Sequence, residues 1–118
     1  MANEITFSAT MRVANGSFNL TRQVSNLRSD QTTQGGGGPG TQVVTTSESS
    51  VTMTGYGYVW IQNLDATNYV QLGFATGAYN LKLRAGAAPT LLELDGTQTL
   101  YLLANLASCN VDIVGINL

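Results

Sequence analysis

Ile5, Phe7, Ala9, Met11 and Val13 are apolar, and the residues between them, Thr6, Ser8, Thr10 and Arg12, are polar. A period of two puts one set on each face of an extended chain, the pattern of a half-buried β-strand. Asn15-Gly16 follows at once, and both residues tolerate the positive φ of a tight type I′ turn. A second alternation sets Phe18, Leu20 and Val24 on one face and Asn19, Thr21 and Gln23 on the other. Arg22 interrupts the apolar set, so a bulge or a sheet edge is expected there. Residues 4–24 are predicted to be a β-hairpin.

From Arg28 to Gln42 the only apolar side chain is Pro39, and Gly35-Gly36-Gly37-Gly38-Pro39-Gly40 lies within the stretch. Such a segment brings nothing to a core, and consecutive glycines carry large chain entropy. A flexible loop over 28–42 is expected. It is no phosphate-cradling loop, because no Lys-Ser/Thr follows the glycines.

Strand patterns resume at 41–46, 49–54, 58–62, 69–74, 79–84, 90–94, 99–103 and 111–118, separated by turn clusters such as Asn63–Asn68 and Asp95-Gly96. Residues 100–107 also fit a helical turn through Leu100, Leu103, Ala104 and Ala107. With about nine short strands and regular turn signals, the expected class is all-β: an antiparallel β-sandwich, jelly-roll-like. Its 118 residues suit a single domain. Residues 1–24 would be its N-terminal hairpin, 28–42 its loop and 58–118 its core strands.

Charge is scarce. Asp, Glu, Lys and Arg make up 10% of the chain, the net charge is -2, and there is no histidine. The positive field that drives non-specific nucleic-acid binding is missing, so no nucleic-acid partner is expected. One cysteine, Cys109, leaves no disulfide within the chain, and without histidine there is no Cys/His zinc site and no His-based triad. No apolar run approaches a membrane span, and the opening residues lack a secretory pattern. The expectation is a protein made in the cytoplasm, with no membrane partner, no cofactor, no metal and no catalytic residues.

Four groups merit weighing. Glu93 and Asp95 are two apart on an expected strand and so share a face, as a glycosidase pair would need, although a strand's polar face followed by a turn aspartate explains them as well. Asp65 lies in an oxygen-rich stretch without the acidic spacing of a calcium loop, and an Asx-stabilised turn accounts for it. Tyr56, Tyr58 and Trp60 occupy alternate positions. On one strand they would form an aromatic row suited to a sugar ring, a subunit interface or a core. Cys109 reads as a small buried hydrophobe.

The stretch from Tyr58 to Gly73, YVWIQNLDATNYVQLG, resembles a pattern in small virion proteins of tailed bacteriophages. A strand ends in Asn63-Leu64-Asp65, turns through Ala66-Thr67-Asn68 and returns as Tyr69-Val70-Gln71-Leu72-Gly73. Leu81-Lys82-Leu83-Arg84-Ala85-Gly86, Leu100-Tyr101 and the terminal strand 111–118 continue the likeness, and the opening Met-Ala-Asn-Glu-Ile-Thr fits it loosely. The glycine-rich stretch 35–40 is outside it. The resemblance implies a β-sandwich subunit of a head, neck or tail, without enzymatic activity.

The leading expectation is a capsid decoration or cement protein that binds and stabilises the head shell. Its partners would be copies of itself, as a homotrimer, and the major capsid protein or another virion protein, and its location would be the virion. A neck or tail component and a receptor- or glycan-binding accessory protein are the alternatives. Few charges and no proline guard the hairpin 4–24, so Ile5, Phe7, Phe18 and Leu20 are candidate assembly residues. Tyr56, Tyr58 and Trp60 are the candidate interface or glycan contacts.

Overall fold

A computed structural model describes residues 4–31, 34–86 and 89–117. The protein is all-β and antiparallel, with ten strands in three sheets and no helix among the described residues. Its contacts divide it into two compact units, Met1–Gln34 and Gly35–Leu118.

The first unit is a two-stranded ribbon, β1 (Ile5–Asn15) and β2 (Phe18–Ser29). The turn falls one residue later than the Asn-Gly signal suggests. Asn15 pairs with Phe18, so the loop is Gly16-Ser17, and only Gly16 of the two has positive φ (58°). Glycine at the first loop position is the type II′ arrangement, not type I′. The ribbon also runs five residues past Val24. Ser8 faces two residues, Ser25 and Asn26, and the register shifts there. The bulge is therefore at Asn26, with φ 54° and its N–H donating to Ser8 Oγ at 3.2 Å, and not at Arg22. One extra residue reverses the parity of the strand. Leu27 consequently joins Val24 on the apolar face, opposite Phe7.

The second unit holds two four-stranded sheets. The first is ordered β3 (Gly36–Val44), β10 (Cys109–Ile116), β5 (Tyr58–Asn63), β8 (Thr90–Glu93). The second is ordered β4 (Ser49–Met53), β9 (Gln98–Ala104), β6 (Val70–Gly73), β7 (Leu81–Leu83). Along the chain the strands switch between sheets at every step except β6 to β7.

Most of the expected loop 28–42 is strand. Arg28 and Ser29 end β2, and Gly36–Gln42 belong to β3, paired along the edge of β10. The glycines fit this edge for a steric reason. At Gly36, φ is 130°, and a Cβ would lie 2.5 Å from the Gly115 carbonyl oxygen. Residues 100–104 lie within strand β9, so the helical alternative does not form.

One hydrophobic cluster draws on both sheets. Val44, Val59, Ile61, Cys109, Val111 and Ile113 come from the first, and Met53, Val70, Leu72, Leu83, Leu100, Leu102 and Ala104 from the second. Residues 58–118 supply all of it but Val44 and Met53. The strict alternation of β10, with Cys109, Val111 and Ile113 inward and Asn110, Asp112 and Val114 outward, shows how period two sorts the chain.

Candidate functional site

The six-residue segment Asn63–Asn68 is a built turn. Asn63 is the one buried polar residue among those described. Its Nδ2 donates to the carbonyl oxygens of Asn68 (2.9 Å) and Leu83 (3.1 Å), and its Oδ1 accepts from the Asp65 N–H at 3.0 Å. A buried amide needs such partners, because an unmet one costs about 1–3 kcal/mol. Asp65 Oδ2 in turn accepts the N–H groups of Thr67 (3.0 Å) and Asn68 (2.6 Å). Those bonds, the Asn68 one foremost and then Thr67, hold the Asp65 carboxyl below its ordinary pKa. Its lone pairs serve the backbone, as in an Asx turn. No cluster of three metal-ligating side chains is found among the described residues.

Cys109 is buried beside this turn, with Sγ 3.5 Å from the Ala107 carbonyl oxygen. Burial pushes its thiol pKa up, and the Asp65 carboxylate adds to the effect. Such a thiol is a poor nucleophile. Glu93 ends β8 and Asp95 falls beyond it in the turn, where its carbonyl oxygen accepts from Gln98 Nε2 at 2.8 Å. The pair therefore does not share a strand face, although both line a shallow depression with Phe74 and Gln98.

A second polar cluster joins two loops. Glu48 Oε1 accepts the Gly77 N–H at 2.9 Å and the Tyr79 hydroxyl. The Tyr79 bond, then the Gly77 one, lowers the Glu48 pKa, and the same carboxylate raises that of Tyr79. Nothing in the sequence pattern signals this long-range pair.

The aromatic row divides. Tyr58 and Trp60 alternate with the buried Val59 and Ile61 and so point to the outer face of the first sheet. Tyr56 precedes β5 and packs against the hydrophobic cluster. Its ring covers Gly115, where a Cβ would lie 2.3 Å from the ring carbon Cγ. Tyr56 is thus a core-closing residue and not a member of a three-residue platform. Trp60 remains 40% exposed.

Around Trp60 the register builds a row across the whole sheet. Leu91 pairs with Trp60, Trp60 with Val114, and Val114 with Pro39. Glu93, opposite Tyr58, flanks the row on one side, and Asp112, opposite Gln62, flanks it on the other. The sequence concealed this surface because its members come from four strands.

The ribbon carries the other exposed apolar surface. Cross-strand partners share a face, so Phe7, Ala9, Met11, Val13, Phe18, Leu20, Val24 and Leu27 lie together. Phe18 is 58% exposed and Leu20 half-buried, while Ile5 at the open end is buried. Of the four hairpin residues singled out from sequence, Phe7, Phe18 and Leu20 share this band with Ile5.

Comparison with protein-family models, curated proteins and solved structures finds no match to this chain.

Proposed function

We propose that this chain is a structural subunit of a bacteriophage virion, a decoration or cement protein that binds the head shell and stabilises it. The observation that carries the reading is strand order. In the second unit, the orders β3-β10-β5-β8 and β4-β9-β6-β7 are those expected of the two sheets of an eight-stranded jelly roll, and the single hydrophobic cluster drawn from both sheets supports reading them as a sandwich. That architecture recurs in viral capsid domains, and in lectins and cupins as well. Fold alone does not fix function. The phage-like turn, rebuilt here as the Asn63–Asp65 hydrogen-bond network, favours the virion among these.

The ribbon supplies a means of attachment. A two-stranded hairpin is marginal alone in water, and this one leaves Met11, Phe18 and Leu27 more than half exposed. Cover from neighbouring molecules would stabilise it. Purified protein added to undecorated shells of its virus should bind and raise their disruption temperature. Absence of binding to any such shell sinks the reading.

A glycan-binding accessory role is the second reading, favoured by exposed Trp60 with Gln62 and Asp112 beside it. A glycan array comparing wild type with Trp60→Ala tests it, and a silent wild type removes it. A neck or tail position predicts a six- or twelve-fold ring by native mass spectrometry where decoration predicts a trimer.

A further inference from the structure

Two apolar surfaces of this chain are complementary to each other. On the ribbon, Met11 lies opposite Arg22, with Ala9–Val24 on one side and Val13–Leu20 on the other. Arg22 is the only charge on that band, no carboxylate shares it, and the guanidinium bonds to the Thr21 carbonyl oxygen at 2.9 Å. On the first sheet, the Leu91–Trp60–Val114–Pro39 row is flanked by two carboxylates, Glu93 and Asp112. Leu91 is 45% exposed.

We propose that the apolar face of the β1–β2 ribbon of one copy docks on the outer face of the β3-β10-β5-β8 sheet of the next copy, head to tail, with Arg22 against a flanking carboxylate. The proposal rests on reading the chain as an assembling subunit. It does not depend on the shell being its destination.

Charge selects this occupant over a second ribbon. Ribbon against ribbon about a two-fold axis would bring two Arg22 side chains into one apolar layer with no acid on either face. A buried charge without a partner is strongly destabilising. The sheet face offers what the ribbon lacks, an apolar row with acids at its margins.

Area points the same way. Eleven residues at about 3.4 Å each and a width of about 10 Å give a ribbon face of roughly 370 Å². One contact then buries about 740 Å² in total, short of the roughly 1,000 Å² expected of a specific interface. A lone dimer would be weak. In a closed head-to-tail ring every copy gives one ribbon and receives another, and the closing contact is made within the assembly. Both exposed surfaces are then covered by a single type of interface.

The test uses the full chain and two variants at exposed positions, Met11→Asp on the ribbon and Leu91→Lys on the sheet, sized by light scattering and native mass spectrometry. Wild type should form one discrete ring. Each variant alone should be monomeric, with association weakened about 30-fold or more. Mixed in equal amounts at high micromolar concentration, the two should form a weak 1:1 pair, because one sound ribbon and one sound sheet remain. Far-UV circular dichroism checks folding, and Arg22→Glu replaces Met11→Asp if that chain fails to fold. Combining Arg22→Glu with Glu93→Arg and Asp112→Arg should restore the ring. The proposal is overturned if Leu91→Lys assembles like wild type, since ribbons then pair with ribbons. It is also overturned if, at high micromolar concentration, the mixture shows no association or wild type is a monomer. Ring formation without shell binding refutes the decoration reading alone, and shell binding without a ring refutes this interface alone.

Discussion

The Asn63 side chain of β5 donates a 3.1 Å hydrogen bond to the Leu83 carbonyl oxygen of β7, so one buried amide links a strand of each four-stranded sheet. Replacing Asn63 with Ala takes this partner from the Leu83 carbonyl and the Asp65 N–H, and leaves the Asn68 carbonyl with only the weak Cys109 thiol contact at 3.8 Å. At about 1–3 kcal/mol per buried group left unmet, denaturant unfolding should show a loss of several kcal/mol. Asn63→Asp should fare no better, because a carboxylate cannot donate to those two carbonyl oxygens. A midpoint within experimental error of wild type would remove Asn63 from this role.

Gly115→Ala should destabilise the protein through Tyr56, since the added methyl meets the aromatic ring at 2.3 Å. Overpacking of this kind costs about 1–3 kcal/mol. The double variant Gly115→Ala with Tyr56→Ala should lose less than the two single losses added. Additive losses in the cycle would mean that the contact does not couple the two positions.

Glu48 and Tyr79 set opposite limits in pH. The folded pKa of Glu48 is lowered, by the Tyr79 hydroxyl first, so its contribution is present above the unfolded value and is lost as pH falls through the folded one. The Tyr79 pKa is raised, so its contribution holds below the unfolded value and disappears as pH rises through the folded one. Carboxyl NMR should place the Glu48 midpoint below that of a free glutamate. Tyr79→Phe should move it upward, and an unchanged midpoint in that variant would contradict the assignment.

Cys109 should resist thiol reagents in the native protein, because burial first and the Asp65 carboxylate second disfavour the thiolate. Labelling should rise sharply across the unfolding transition. Rapid labelling of the folded chain at mild alkaline pH would show that Cys109 is reached without unfolding.

Much of the architecture was legible where one face of a strand meets a core. The apolar pair Val51 and Met53, the run Tyr58–Gln62 and the closing segment 111–118 place β4, β5 and β10, although the run 58–62 reads as a strand buried on both faces and Trp60 is in fact exposed on the outer one. Pairing that depends on backbone alone left no mark on residue type. Gly36–Gly40 form an edge strand whose identity lies in φ values and in the closeness of Gly115, neither of which hydropathy reports. Asn26 reverses the parity of β2 with a single residue, so Leu27 lies outside the alternation that is legible as far as Val24. For the candidate surfaces, Trp60 and Tyr58 could be read from spacing along one strand. Leu91, Val114 and Pro39 could not, since they meet Trp60 only through cross-strand register.

The position of β10 between β3 and β5 governs the order in which this protein can fold. Neither neighbour has a lateral partner on that side until residues 109–116 are available, and Gly36 must find Ile116 from the far end of the unit. Pairings so distant in sequence close late and slowly, because the entropy of a long loop must be overcome before any contact rewards it. While β10 is still being synthesised, β3 and β5 present open edges at which another nascent copy could insert. The glycine-rich, weakly apolar character of β3 suits that interval, since an edge with so little side-chain surface attracts few wrong partners before the right one arrives.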